Sequence, residues 1–161
     1  MLTSFIPTVY VQISPERLTV RNVKTGTSIS EVPEVAIAHD PKTSIVGVGA
    51  EARLHQSTPS VVITNPFAHP RSLVSDFTVG EQLLKAFLRR IQSGSIFAVS
   101  PKVVMHPLGN PEGGLTQIEI RALHEMAIGA GASKVTIWQG RVLGDQELLA
   151  GQFPNDGQVL S

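Results

Sequence analysis

Apolar residues along this chain follow a strand-like pattern first and a helical one later, with an irregular stretch between them. Thr8 to Ile13 and Arg17 to Val23 are rich in Val, Ile and Tyr, and Ser14-Pro15-Glu16 between them is turn chemistry, so the two segments predict adjacent strands. Lys24-Thr25-Gly26-Thr27 forms a second turn signal. Ile29 to Ala38 continues the strand pattern, but Pro33 removes a backbone donor inside it, which predicts an edge or interrupted strand. From Asp40 to Asp76 apolar runs shrink to Ile45 to Val48 and Val61 to Ile63 among Pro, Ser and Thr, the pattern of a small inserted subdomain.

The period becomes helical at Thr78. Thr78-Val79-Gly80-Glu81 has the form of a capping box, and Val79, Leu83, Leu84, Phe87, Leu88 and Ile91 follow at helical spacing, with Ser93-Gly94 as the stop. Val103-Val104-Met105 reads as a short buried strand. After a loop from Gly109 to Gly114, Thr116-Gln117-Ile118-Glu119 opens a second helix with core face Ile118, Ala122, Leu123, Met126 and Ala127, stopped by Gly129 and Gly131. Val135 to Trp138 predicts a further strand, with Trp138 in the core, and Asp145 to Ala150 a short helix. The tail from Asn155 to Ser161 has no strong pattern. Hairpin strands followed by helix, strand, helix and strand predict an α/β fold.

The segment Ser100 to Ile137, SPKVVMHPLGNPEGGLTQIEIRALHEMAIGAGASKVTI, resembles the MreB family of bacterial actin-like ATPases, in which PxVxVxVPxG is followed by TQxExRA and GAGA. VPEVAI is similar to the family's EPSVVAI, and SLVSDF to its GVIADF. The resemblance implies a ribonuclease-H-like mixed sheet with flanking helices, one half of an actin-like ATPase. It assigns 1–34 and 76–161 to the sheet subdomain and 35–75 to the small inserted subdomain.

The departures from the family bear on function. Where the family carries Asp-x-Gly-Thr in its first hairpin, this chain has Gln12-Ile13-Ser14-Pro15. Gln12 is neutral and does not meet a divalent cation's demand for hard anionic oxygen, and Pro15 lacks an amide where phosphate needs one. Gln12 and Ser14 thus occupy degenerate phosphate-loop positions. The resemblance also implies that the chain stops before the family's second phosphate loop and adenosine pocket. Glu119 aligns with the glutamate that polarises the attacking water, a vestigial catalytic candidate, yet as the fourth residue of Thr116-Gln117-Ile118-Glu119 it also has the place of a helix cap. Gly109 to Gly114 lies where nucleotide folds cradle phosphate, but Leu115 stands where a phosphate loop needs Lys, and Glu112 and Glu119 repel an anion. This loop is longer than the family's, which predicts an altered contact surface.

Composition narrows the function classes further. With 161 residues, 13 basic and 13 acidic side chains and no cysteine, the chain offers no thiolate chemistry and no electrostatic footprint for nucleic acid. His39, His55, His69, His106 and His124 fall at no metal-binding spacing, so no metal is expected. Leu2, Phe5 and Ile6 are similar to the family's membrane-seeking N-terminus but lack its basic companions, and without a signal or spanning segment the expectation is cytoplasmic. A late helix that completes the family's sheet is missing, which predicts an exposed apolar face covered by the segment from Gly140 to Ser161 or by another chain. The expectation is a non-catalytic, MreB-like half-protein without cofactor, a binding or assembly module linked to bacterial cell shape. Its expected partners are its own copies or a full-length actin-like filament protein. The alternative is a nucleotide-binding ATPase or switch, taking ATP and magnesium, whose second half another chain supplies.

Overall fold

Pro33 divides what the sequence presents as one strand, and the two pieces enter different sheets. A computed structural model describes residues 6–92, 99–109 and 111–161; the Ser93-Gly94 stop and the Leu2 and Phe5 positions lie outside the described residues. Strands β1 (Thr8–Ile13), β2 (Leu18–Asn22) and β3 (Ser28–Glu31) form an antiparallel meander, after which β4 (Val35–Ala38), β5 (Ser44–Val48), a 3-10 helix (Gly49–His55) and β6 (Val61–Thr64) follow, their strands forming a second sheet. Helix α1 (Phe77–Ile91), β7 (Lys102–Pro107), α2 (Gln117–Gly129), β8 (Lys134–Gln139), α3 (Asp145–Ala150) and β9 (Gln158–Val159) complete the order. The larger sheet runs β3-β2-β1-β7-β8-β9, the smaller β5-β4-β6. β1, β7 and β8 are mutually parallel, joined by crossovers through α1 and α2, so the fold is α/β with a mixed sheet.

Alternation along the central strands sends their side chains to two different covers. Val9, Val11, Ile13, Val103, Met105, Val135 and Ile137 pack beneath α1 and α2 against Leu83, Leu84, Phe87, Leu88, Leu123, Met126 and Ala127. Tyr10, Val104 and Trp138 point the other way, onto Val23, Leu143, Leu148 and Phe153. The apolar back of the sheet is thus covered by the chain's own α3 and its flanks. Arg141 clamps this strap, donating to both oxygens of Glu147 at 3.0 and 2.7 Å and to Asp156 at 3.0 Å, while Arg21 pairs with Asp145. The guanidinium of Arg141 pulls Glu147 down to about 2.

Several expectations need correction. Asp76, not Thr78, caps α1: its side chain accepts the Val79 N–H at 3.1 Å, so the helix begins one residue before Thr78. Ile118 is 83 % exposed rather than in the core, because five residues at 100° each place it 140° around the helix from the buried Leu123; Ile120 packs inward instead. The unpatterned tail makes β9, pairing Trp138 with Val159 and Gln139 with Gln158 along the edge of β8. Gly157 is required there, since a Cβ would enter the Trp138 ring.

One polar network lies within the apolar back face. Tyr10 Oη and His106 Nδ1 are 2.5 Å apart, His106 Nε2 is 3.0 Å from the Gly140 carbonyl, and the Leu143 N–H donates to Tyr10 Oη at 3.2 Å. A carbonyl only accepts, so Nε2 carries the imidazole proton and Nδ1 accepts the hydrogen bond that the tyrosine O–H donates. Burial holds His106 below its ordinary pKa of 6.5, the Gly140 bond opposing only in part, and burial likewise raises Tyr10. Tyr10→Phe leaves Nδ1 and the Leu143 amide unpartnered and is expected to lower the unfolding free energy in urea by about 1–3 kcal/mol. The depressed histidine sets a pH dependence: stability is complete well above 6.5 and falls as pH drops through and below it, because the unfolded chain gains a proton that folded His106 resists. Urea melts of wild type and His106→Gln across that window test this, and the slope should flatten in the variant.

Candidate functional site

The carboxyl ends of β1 and β7 lie side by side, with Gln12 opposite His106 and Ile13 opposite Pro107. Parallel strands joined by helices generate their clefts at this end. A cleft of about 520 Å³ opens there, walled by Pro15 of the first hairpin, by Pro70 to Leu73 ahead of α1, and by Pro107, Leu108, Pro111, Leu115 and Glu119 on the way into α2.

The β1–β2 turn satisfies its own polar groups. Ser14 N–H donates to the Arg17 carbonyl at 3.0 Å, Ser14 Oγ donates to the same carbonyl at 3.2 Å and accepts the Arg17 N–H at 3.1 Å, and the Asn65 side chain donates to the Pro15 carbonyl at 2.8 Å. Gln12 is half-buried and, from its place in β1, shares the back face with Tyr10 and His106. It therefore stands on the strap side of the sheet.

Both carboxylate oxygens of Glu119 accept a backbone amide. Oε1 accepts the Thr116 N–H at 2.9 Å while Thr116 Oγ1 accepts the Glu119 N–H at 3.1 Å, which is a complete capping box. Oε2 accepts the Leu73 N–H at 2.8 Å, tying the segment before α1 to the start of α2. Burial alone would raise the carboxyl's pKa, but the Thr116 and Leu73 amides and the Thr116 hydroxyl outweigh it, and the group sits below the ordinary 4.5. The second amide could not be found from sequence, because Leu73 and Glu119 are 46 residues apart.

Free donors are scarce in the cleft. Pro15, Pro70, Pro107 and Pro111 have none on their backbone nitrogens. The Leu108 amide donates to the Ile13 carbonyl at 2.8 Å, the Gly114 amide to Pro111 at 2.9 Å, and the Arg71 amide to His69 Nδ1 at 3.0 Å. Gly109, Gly113 and Gly114 hold the loop in left-handed backbone, at φ of 91°, 78° and 75°. Among the described residues no group of three or more His, Asp or Glu is arranged to hold a metal ion, and no helix is long and apolar enough to cross a membrane.

The family model for MreB/Mbl protein matches residues 17–144, most of the chain. This chain belongs to the MreB/Mbl family. It is 36 % identical over 115 residues to the cell shape-determining protein MreB of Haemophilus influenzae, and 34 % over 117 residues to that of Escherichia coli K12, covering 68 % of this chain in each case. It spans 31 % of the length of these relatives, about a third. Among solved structures, MreB5 of Spiroplasma citri bound to ADP superposes with a TM-score of 0.65 at 18 % identity, over 83 % of this chain and 38 % of that one. A non-polymerising mutant of MamK bound to AMPPNP gives 0.66 at 16 % identity, over 83 % and 41 %. The fold is that of the actin-like ATPases.

Within this MreB-family chain Glu119 is expected to act on stability. Glu119→Ala strands two amides and should lower the unfolding free energy by about 1–3 kcal/mol, whereas Glu119→Gln, with one amide oxygen left to accept, should lose roughly half of that. Urea denaturation of the three proteins at neutral pH is the measurement.

Proposed function

We propose that this chain is a non-catalytic, MreB-like binding and assembly module linked to bacterial cell shape. The observation that carries the proposal is the engagement of Glu119, whose two carboxylate oxygens each accept a backbone amide of this chain. A carboxylate that activates water needs a lone pair directed at that water, and occupation of both oxygens by structural amides weighs against it.

The rest of the cleft supports the same conclusion. Residues that would face a magnesium nucleotide do not fit it. Gln12, the residue at the metal-side position of the family resemblance, is a neutral amide where a hard cation selects carboxylate and stands on the strap side of the sheet, Pro15 in the cleft wall brings no N–H, and Ser14 spends its own within the turn. Relatives at this fold have been crystallised with ADP and AMPPNP, so the comparison nucleotide is ATP itself. Loss of phosphate and metal contacts without loss of the sheet leaves surfaces as the functional elements, and the relatives' role in determining cell shape supplies the process.

Titration of the purified chain with labelled ATP and magnesium is expected to give no saturable binding, and coupled assays no phosphate release above blank. Micromolar saturation abolished by Glu119→Gln, in a variant whose melt shows it folded, overturns the proposal in favour of a nucleotide-dependent switch.

A further inference from the structure

Lys102 and Lys134 open β7 and β8 and stand directly opposite each other, with Thr8 of β1 completing the row. Alternation along the strands puts all three on the back face, the side of Val104 and Trp138. Neighbouring strands are roughly 4.8 Å apart, so two like charges are brought together at this edge. The acidic residues of the strap and its continuation are committed elsewhere, Asp145 to Arg21, and Glu147 and Asp156 to Arg141. Neither lysine takes part in an ion pair among the described residues.

Between these lysines and the strap lies a recess of about 260 Å³. Val104 and Thr136 of the sheet line one side, and Leu148, Leu149 and Phe153 of the strap line the other. The strap side is held in place, because Leu148 is buried and Phe153 stacks on Trp138 with ring centroids 5.5 Å apart. Leu149, 54 % exposed, forms an open apolar lip.

Size, charge and donor supply specify the occupant. The recess is smaller than the roughly 300–1,000 Å³ of sites for drug-sized ligands, so it admits a few carbon atoms and not the acyl chains of a lipid. Two cations beside apolar surface select an anion with an apolar body. Phosphate fits poorly, since it is usually cradled by backbone N–H groups, and those at the recess are spent: Lys102 N–H donates to the Pro7 carbonyl at 2.9 Å and Gly151 N–H to the Leu148 carbonyl at 3.3 Å. A carboxylate asks for fewer donors, and two lysines on flexible stems can close on it from either side.

We propose that the recess binds a small monocarboxylate with a branched aliphatic body. Lys102 and Lys134 bracket the carboxylate, and the body lies against Val104, Leu149 and Phe153. The hydroxyls of Thr8 and Thr136, on the same face as the lysines, supply further donors. Occupancy is independent of the cleft, which opens at the other end of the strands. Both lysines stand at the molecular edge, so binding weakens as salt rises.

Titration of the ¹⁵N-labelled chain with 4-methylpentanoate, followed by NMR, tests the assignment. Saturable shifts are expected at Val104, Thr136, Leu149 and Phe153, with a dissociation constant on the order of 1 mM for so small a ligand. Acetate, which lacks the apolar body, and 4-methylpentanamide, which lacks the charge, should each bind about tenfold or more weakly. The double variant Lys102→Gln with Lys134→Gln should lose a similar factor while its remaining resonances stay in place. Equal binding of the amide, equal binding of acetate, undiminished binding by the double variant, or shifts that never saturate would each overturn the proposal. Phosphatidylglycerol vesicles that displace 4-methylpentanoate from these residues would reassign the surface to a membrane and overturn it as well. The two analogues are compared on the wild-type chain, so the outcome stands even if the variant does not fold.

Discussion

Strand β7 is buried on both faces, and the remainder of the structure is organised by that constraint. From Val103 to His106 no residue exposes more than 5 % of its surface. A parallel strand between two neighbours must be covered front and back. Helices α1 and α2, which the crossovers deliver, cover one side. On the other side cover comes from Gly140 to Phe153, and its fit depends on a polar pair. A buried imidazole needs both nitrogens satisfied, and Tyr10 with the Gly140 carbonyl does this for His106, while Leu143 completes the tyrosine. The strap is thereby held in one register, since a slide by one residue would orphan three buried polar groups in apolar surroundings.

Because stability is concentrated in this sandwich, the strand ends are free to change. Gln12 shares its face with His106, and Ser14 closes the hairpin on itself, so neither contributes to the core beneath α1 and α2. Proline at 15 limits what the cleft offers a ligand without opening a cavity in the sheet. Glu119 is the exception. Its carboxylate joins α2 to the segment before α1, so its retention has a sufficient cause in the scaffold, independent of chemistry on a substrate.

Local devices were legible in the sequence and distant ones were not. The capping box at Thr116 and Glu119, the turn at Ser14-Pro15-Glu16 and the short helix from Asp145 are written within a few residues, and the structure has each of them. Proline at 33 announced an interruption, although only the pairing partners reveal that β3 and β4 enter separate sheets. Thr78 misled because Asp76, two residues earlier, brings its carboxylate to the Val79 amide first. The missing backbone donor at Pro15 in the cleft wall was visible in the sequence, while the engagement of both Glu119 oxygens was not. The back-face network links residues 96 and 133 positions apart, and β9 has only two residues, too few to show a period.

Covering the sheet by its own strap also changes where another molecule can bind. An open apolar sheet face would attract any partner able to bury it; once α3, Leu143 and Phe153 occupy it, a second chain must engage what the strap leaves at its margins. Those margins are shaped by the strap itself. At the amino ends of β7 and β8, Leu149 and Phe153 form one wall of a recess edged by Lys102 and Lys134, and the Arg141 pairs with Glu147 and Asp156 hold the strap that carries this wall. The same segment that seals the back of β7 thus also walls a recess at the amino end of the sheet. Burial of the central strand and the shape of the surface beside it are two results of one packing arrangement.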